Sequence, residues 1–173
     1  MPDYTLTIKI AEGGTEHIDE NGKATTSAAG HMWYSLSDGE GNKSSYGFAS
    51  DEAKAKPFGK GQWITTDDAT YQDTYYTVQI PISEAEYKAL KEFGEAPKAH
   101  GFDADRYNAL NNSCIDFTWK ALETAGLNEK CYEGKILPTS NAKKIDKEIY
   151  EHMFKDQKGW SDTWNDINKN SKH

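Results

Sequence analysis

A predicted β-hairpin restricts the possible folds of this chain more than any other segment. The runs "HMWYSL" (31–36) and "SSYGFA" (44–49) are rich in aromatic residues, which favour pleated strands. Between them lies "SDGEGNK" (37–43), whose Gly, Asp and Asn residues readily form tight turns. The pattern therefore predicts two antiparallel strands, and with them a sheet.

Two further strands are predicted outside the hairpin. Residues 4–10 ("YTLTIKI") alternate polar and apolar side chains with the period of a strand. Residues 75–82 ("YYTVQIPI") form the other, and Pro81 restricts it to a sheet edge or a strand end. The remaining segments before residue 113 are rich in turn formers and predict loops. These loops cover 12–30, with a short hairpin at "ENGK" (20–23), 56–73, with a short strand, and 95–112.

Helical spacing is found in three segments. Ser83 and Glu86 have the spacing of a capping box and predict a helix over 83–94. A second helix is predicted from about Cys114 to Ala125, before a glycine that stops it. The C-terminal part is also predicted to be helical, because apolar residues recur there at helical steps. They are Ile145, Ile149 and Met153, followed by Trp160, Trp164 and Ile167.

Length and composition indicate one folded domain. The 173 residues are near the commonest size of a single domain. Only 36% of them are hydrophobic, but five Trp, ten Tyr and six Phe supply large areas for a core. We therefore expect a single α+β domain over 1–173. Its net charge of −8 is spread along the chain, which argues against nucleic acid as a partner because phosphate backbones would be repelled.

The sequence gives no sign of a membrane span or a secretory signal. No window approaches the roughly 18 apolar residues that a span needs, and the N-terminus lacks the profile of a signal peptide. We therefore expect synthesis in the cytoplasm, and a role elsewhere requires another means of delivery. Two cysteines in a domain of this size are not a disulfide framework, and Cys131 is expected to be a free or partly buried thiol.

One cysteine and one histidine remain as candidates for chemistry. The chain has no HExxH, CxxC, GxSxG or phosphate-loop motif and no histidine spacing typical of a metal site, so we expect no cofactor and no metal. Cys114 follows two good N-cap residues, Asn112 and Ser113. It should lie in the first helical turn, where the helix dipole favours a thiolate. His31 starts a predicted strand directly after Gly30, which leaves room for backbone or substrate.

Both candidates have a structural alternative. A free cysteine such as Cys114 is often a buried small hydrophobic residue, and its position alone does not decide between the two roles. A single histidine at a strand edge, such as His31, is more often a hydrogen-bonded structural residue than a catalytic one. A catalytic role is favoured for these two residues only when they are considered as a pair.

The layout of the pair resembles a known family. The segments "AGHMWYSL", "SSYGFA" and "NNSCIDFTWKAL" are similar to the circularly permuted NlpC-type branch of the papain-like cysteine hydrolases, in which the His-bearing strand precedes the Cys-bearing helix. They resemble in particular the cell-wall-degrading toxin domains of bacterial type VI secretion and related systems. The resemblance covers residues 28–138. It implies a papain-like α+β fold with a small antiparallel sheet against the Cys helix, and residues 139–173 would be a helical extension.

The resemblance also implies catalytic roles. Cys114 would be the nucleophile, and His31 the general base that takes its proton. The residue that orients the imidazole would lie on the strand 44–49, where the family often has His, Asp, Glu or Gln and this chain offers Ser45 or Tyr46. The choice depends on the hairpin register, because alternate residues share a face. A two-residue turn would select Ser44, Tyr46 and Phe48, and a three-residue turn would select Ser45, Gly47 and Ala49.

Three more residues receive expected roles around the nucleophile. Backbone amides at the helix start, including that of Cys114, would hold the oxyanion of a tetrahedral intermediate, with Asn112 helping. Asp116 lies about 200° around the helix from Cys114 and should not touch it, so we expect either a structural cap or a supporting role behind the site. Trp63, in a Gly-flanked loop, is placed at the rim of a substrate groove.

The implied activity is hydrolysis of amide bonds in peptidoglycan stem peptides by an antibacterial effector. Such an effector would be carried by a secretion apparatus to the periplasm of a target cell, and its producer would need a cognate immunity protein. Two alternatives stay open. The same fold supports thiol acyltransferases and lipid thioesterases, and a non-catalytic interaction module would simply bury Cys114 in its core.

Overall fold

The computed structural model describes residues 3–19, 21–51 and 57–154. Within these ranges the chain forms eight strands, four α-helices and two 3₁₀ turns. The strands are β1 (Thr5–Ala11), β2 (Glu16–Ile18), β3 (Ala24–Thr26), β4 (His31–Ser37), β5 (Lys43–Ser50), β6 (Phe58–Ile64), β7 (Tyr76–Pro81) and β8 (Arg106–Asn108). The helices are α1 (Asp67–Thr70), α2 (Glu84–Glu95), α3 (Cys114–Thr124) and α4 (Ala142–Phe154), and the 3₁₀ turns are Pro97–His100 and Pro138–Asn141.

Six of the strands form one antiparallel sheet in the order β7-β1-β4-β5-β6-β8, and β2 and β3 pair as a separate hairpin. The class is therefore α+β, as the sequence predicts. The strand predicted over 75–82 lies at the edge of the sheet, where its proline needs no ladder hydrogen bond.

The predicted hairpin is confirmed, and its register is now defined. Strand β4 pairs with β5 so that Trp33 lies opposite Gly47 and Ser35 lies opposite Ser45. The connection is longer than either turn considered from the sequence, but its odd length has the same effect as a three-residue turn. The residues of β5 that share the face of His31 are therefore Ser45 and its alternate neighbours.

The helix predictions are confirmed within the described residues. Ser83 and Glu86 form the capping box of α2, with a distance of 2.7 Å from Ser83 N to Glu86 Oε2. Helix α3 begins at Cys114, and α4 buries Ile145 and Ile149 completely. Residues 160–167 lie outside the described residues. None of the helices in the described ranges has the length and apolar character that a membrane crossing needs.

One face of the sheet carries the main core. Apolar residues alternate along β1, β4 and β5 and face helices α2, α3 and α4, which is the arrangement expected of a sheet with one covered face. Tyr34 joins the layers with a hydrogen bond from its hydroxyl to the carbonyl oxygen of Leu90 at 2.8 Å. The fully buried members include Leu6, Ile8, Ile10, Met32, Phe48, Leu90, Phe93, Phe117 and Leu122.

The opposite face is covered by the segment that follows β6. A small cluster of Ala11, Trp33 and Tyr71 is buried there, and α1 lies over β5. His31 and Trp33 belong to this face, since they alternate with the core residues of β4. The sheet is thus covered on both sides near the start of β4, which is where the candidate histidine lies.

The short strand expected within the loop 56–73 is confirmed as the seven-residue strand β6, which pairs with both β5 and β8. The same segment also contains the helix α1, and the loop expected at 95–112 contains the strand β8, neither of which was predicted. Glycines at alternate positions of β6 weaken its strand pattern in the sequence. The short hairpin expected at 20–23 is present, with Asp19 N donating to Lys23 O at 2.9 Å.

Gly61 of β6 is required by close packing. A Cβ atom at this position would lie 2.5 Å from the Phe48 ring, whereas one at Gly59 would meet nothing closer than 3.9 Å. We expect Gly61→Ala to lower the free energy of unfolding by about 1–3 kcal/mol through overpacking. The matched control Gly59→Ala should change it by less than about 1 kcal/mol. Urea unfolding measures both, and equal effects would contradict the proposed packing.

Candidate active site

His31 is fixed at the start of β4 by the residue before it. Gly30 has φ +91°, and a Cβ atom there would lie 2.5 Å from the carbonyl oxygen of Ala11 on β1. The glycine therefore makes room for backbone rather than for substrate. The His31 side chain points away from the main core, and the residue is only 5% exposed.

The imidazole of His31 is hydrogen-bonded to a buried carboxylate. Its Nε2 atom lies 3.0 Å from Oδ2 of Asp67 in α1, and Asp67 is fully buried. Because an ionised carboxylate only accepts hydrogen bonds, Nε2 is the donor. Gly47 on β5 makes this contact possible, since a Cβ atom there would overlap Asp67 Oδ2 and lie 3.1 Å from His31 Nε2.

Cys114 is placed by the cap of α3. The Ser113 hydroxyl accepts a hydrogen bond from Ile115 N at 3.2 Å, and the Asp116 carboxylate accepts one from Ser113 N at 2.8 Å. Of the two N-cap candidates, Ser113 is the cap, and Asp116 completes the capping box as expected. Cys114 is therefore the first residue of the helix, where backbone N–H groups and the helix dipole favour an anion.

The Cys114 thiol lies near enough to the His31 imidazole to affect its pKa. Burial by itself would lower the pKa of His31, but electrostatic interactions with Asp67 and Tyr71, the hydrogen bond to Asp67 and the interaction with Cys114 hold it well above its usual value. Since Nε2 donates to Asp67, Nδ1 is the nitrogen left for an interaction with the thiol. We refer to Cys114, His31 and Asp67 together as a series of thiol, imidazole and carboxylate.

Aromatic rings surround this series. The rings of Trp33 and Tyr71 are stacked near that of His31, with centroid distances of 5.5 Å and 5.3 Å. Burial is the main cause of the raised pKa values of Tyr71 and Tyr107. The two phenols therefore belong to the dry surroundings of the site.

The residue that orients the imidazole differs from both candidates on β5. Tyr46 lies on the opposite face, with its ring in the main core, so that expectation is wrong for a reason of register. Ser45 shares the face of His31, but its hydroxyl donates to the carbonyl oxygen of Thr65 at 3.1 Å. It secures the segment leading into α1, and Asp67 takes the orienting position.

Sequence reasoning missed Asp67 because its segment looks solvent-exposed. The stretch "TTDDAT" is polar and turn-like, and Asp67 is separated from His31 by 36 positions. The available signal was Gly47, since a glycine within a strand often marks the close approach of another group. That signal indicates a close approach but does not identify the approaching residue.

The expected role of Asn112 in an oxyanion hole is not supported. Its side-chain Nδ2 donates to the carbonyl oxygen of Asp103 at 2.7 Å and also to that of Arg106. Both N–H bonds of the amide are thereby used, which leaves no donor for a substrate. Asn112 instead fixes the loop that precedes α3.

Trp63 is half-exposed on β6, where it pairs with Phe48. It lines neither of two cavities near the site. One of about 490 Å³ lies beside the start of α3 and includes Asp103, Asn112, Ser113, Asp116, Lys120 and Lys135. The other, of about 450 Å³, lies between the β2–β3 hairpin, β6 and α1. Neither is lined by Cys114 or His31, so the expected place of Trp63 at a groove rim gains no support from these cavities.

The described residues contain no group of three or more His, Cys, Asp or Glu side chains that could hold a metal ion. Cys114 and Cys131 are both free, the first buried and the second exposed. Comparisons with protein-family models, curated proteins and solved structures found no match to this chain. The arguments about function therefore depend on the geometry of the site and on the sequence pattern.

The raised pKa of His31 predicts how stability depends on pH. A folded-state pKa above the unfolded value of about 6.5 gives stability that is fully present below that value and is lost as pH rises through the folded pKa. Replacing Asp67 with Asn removes the main cause of the rise. We expect Asp67→Asn to cost about 1.5–3 kcal/mol at pH 6 and less at pH 9.

Urea unfolding between pH 6 and pH 9 measures this difference. The control is Asp105→Asn, which removes an exposed carboxylate that pairs with Lys98. A cost for Asp67→Asn that stayed constant, or grew, with rising pH would contradict the assignment of the His31–Asp67 pair.

Proposed function

We propose that this chain is a papain-like cysteine hydrolase that cleaves amide bonds in peptidoglycan peptides and acts as a secreted antibacterial effector. The observation that carries the proposal is a buried imidazole whose Nε2 is hydrogen-bonded to Asp67 and whose pKa responds to the nearby Cys114 thiol at a helix N-terminus. This is the arrangement that activates a thiol nucleophile in amide hydrolysis.

In the first half of the reaction, Nδ1 of His31 takes the thiol proton and Cys114 Sγ attacks the carbonyl carbon of the substrate amide. The new C–S bond forms as the carbonyl oxygen becomes an oxyanion. His31 then gives its proton to the amide nitrogen, the C–N bond breaks, and the amine leaves. The product is a thioester on Cys114.

In the second half, water replaces the amine. His31 takes a proton from the water, the hydroxide attacks the thioester carbonyl, and the C–S bond breaks. The acid is released and the proton returns to the thiol, so the enzyme is regenerated with no net change. Throughout both steps Asp67 accepts a hydrogen bond from Nε2 of His31 and stabilises the imidazolium. This hydrogen bond also keeps Nδ1 directed towards the sulfur.

Backbone groups supply the oxyanion site in this proposal. The N–H of Cys114 lies in the first turn of α3, where N–H groups have no acceptor within the helix. A tetrahedral intermediate on Sγ would place its oxyanion next to this N–H, and the helix dipole adds to the stabilisation. The side chain of Asn112 takes no part.

The cavity beside the start of α3 suits a peptide better than an acyl chain, provided that the substrate reaches the thiol from this side. It borders Ser113 and Ile115, the neighbours of Cys114, rather than Cys114 itself. Its lining combines apolar side chains, among them Leu110, Trp119 and Ile136, with the charged side chains of Asp103, Asp116, Lys120 and Lys135. A lipid tail would have to displace water from these charges without replacing its hydrogen bonds.

A purely structural role for the pair is disfavoured by its cost. Burying an imidazole and a carboxylate is expensive, and Asp67 Oδ1 has no hydrogen-bond partner among the described residues. Buried groups with a strongly shifted pKa, such as His31, are concentrated at functional sites. An interaction module with Cys114 as a core residue would gain nothing from them.

The choice of peptidoglycan and the mode of delivery depend on the resemblance of the His strand and Cys helix to the permuted NlpC-type toxins. On that basis the substrate is a stem peptide in the periplasm of a target cell. A component of a secretion apparatus would deliver the chain, and a cognate immunity protein would protect the producer.

The function is tested by incubating the purified protein with sacculi and identifying the released fragments by mass spectrometry. We expect Cys114→Ala and His31→Ala each to lower the cleavage rate more than about 1,000-fold. Asp67→Asn should lower it about 100-fold or more, because the imidazole loses its orienting partner. The exposed thiol provides the matched control, and Cys131→Ser should cleave like the wild type. A folded and fully active Cys114→Ala protein would refute the proposal.

The pair also predicts the pH profile of thiol reactivity. A thiolate stabilised by an imidazolium reacts at mildly acidic pH, where an ordinary thiol with a pKa near 8.5 is almost inert. Alkylation of Cys114 by iodoacetamide should therefore persist near pH 6, and most of this reactivity should be lost in His31→Ala. Mass spectrometry separates the labelling of Cys114 from that of Cys131. Identical profiles with and without His31 would show that the two residues do not act together.

A further inference from the structure

Asp68 forms a second carboxylate site next to Asp67. Its Oδ1 atom accepts a hydrogen bond from the indole Nε1 of Trp33 at 2.8 Å and one from Nζ of Lys9 at 2.8 Å. Burial raises the pKa of Asp68, but the contacts with Lys9 and Trp33 outweigh this effect and hold it below its usual value. The carboxylate is therefore ionised at neutral pH and accepts two hydrogen bonds.

These contacts lie on the same face of the sheet as His31. Lys9 of β1 is opposite Trp33 of β4 in the register, and Trp33 is two residues after His31. Two consecutive carboxylates of α1 thus bind two side chains on the same face of β4. Asp67 is hydrogen-bonded to His31, and Asp68 is hydrogen-bonded to Trp33.

Helix α1 needs such contacts to keep its orientation. It has only four residues, and its N-cap residue Thr66 makes no side-chain cap hydrogen bond. A helix this short is not stable by itself. Among the described residues, the Asp67 carboxylate makes one side-chain hydrogen bond, to His31. The contacts of Asp68 with Lys9 and Trp33 are therefore a major constraint on where Asp67 lies.

Trp33 connects Asp68 to the imidazole by a second route. Its ring is stacked near that of His31, with an angle of 21° between the planes. The hydrogen bond to Asp68 fixes the indole, and the fixed indole limits the orientations open to His31. Asp68 therefore acts on both partners of the pair without touching the thiol.

We propose that Asp68 is a positioning residue, which through α1 and Trp33 holds Asp67 and His31 in the geometry that activates Cys114. The inference depends on the proposed function, because it assigns Asp68 to the same site. The charged or titratable groups that face His31 are Asp67 of α1, Cys114 of α3 and Tyr71. Asp68 and Lys9 lie one contact further away.

Alkylation by iodoacetamide and NMR titration of the His31 imidazole test the inference without a substrate. In Asp68→Ala we expect the rate of Cys114 alkylation near pH 6 to fall about tenfold, since small displacements of reacting groups have large effects. The His31 titration should move to lower pH, because the carboxylate of Asp67 is held less firmly against it. Asp68→Asn, which keeps an acceptor for the indole, should retain more of the acidic reactivity than Asp68→Ala.

Two further variants keep the test decisive. Trp33→Phe retains an aromatic ring but removes the N–H donor, and it should shift the alkylation profile in the direction expected for Asp68→Ala. It takes the place of Asp68→Ala if that variant does not fold. Glu84→Gln is the control, since it breaks an exposed ion pair with Lys88 on α2 and should leave both measurements unchanged.

The outcomes separate the inference from the proposed function. Wild-type protein that reacts at pH 6, with folded Asp68→Ala or Trp33→Phe giving the same profile and the same His31 titration, would overturn the positioning role alone. A wild type without acidic reactivity would overturn the thiolate–imidazolium pair, and the positioning role with it.

Discussion

The hydrogen bond between His31 and Asp67 is the contact on which the rest of the site depends. It joins an imidazole and a carboxylate that are almost completely removed from water, where an unpaired charge would be very costly. The surrounding structure makes the pairing possible: Gly47 leaves the space, and β4 and α1 supply the two groups from opposite sides of that space. With Nε2 occupied in this way, Nδ1 is the imidazole nitrogen left for the nearby thiol of Cys114.

The two faces of the sheet have different roles. Helices α2, α3 and α4 cover one face and form the main hydrophobic core, which sets the position of the α3 N-terminus. The segment after β6 covers the other face near the start of β4 and delivers Asp67 and Asp68. In the proposed mechanism the thiol therefore comes from the side of the sheet that carries the main core, and the groups that would activate it come from a smaller polar layer. This separation explains how a buried polar series can exist beside an apolar core.

Local sequence patterns predicted the elements that depend on near neighbours. The hairpin turn, the capping box at Ser83 and the start of α3 at Cys114 follow from residues within a few positions of each other. The predictions that failed needed information from distant segments. The extent of β6 was not evident from its sequence, in which Gly61 is required because Phe48 and the carbonyl oxygen of Ala104 lie against it. The amide of Asn112 was assigned to a substrate because the carbonyl groups that bind it are several residues away.

The sequence by itself determined that a cysteine begins a capped helix and that a histidine begins a strand, since caps and strand patterns are short-range properties. It also determined the α+β class. Only the tertiary structure decided that these two residues lie near each other and that the buried partner of His31 is Asp67 rather than Ser45 or Tyr46. The physical reason is that a side-chain hydrogen bond over 36 positions depends on sheet register and on the docking of α1, and neither is fixed until the whole sheet has formed.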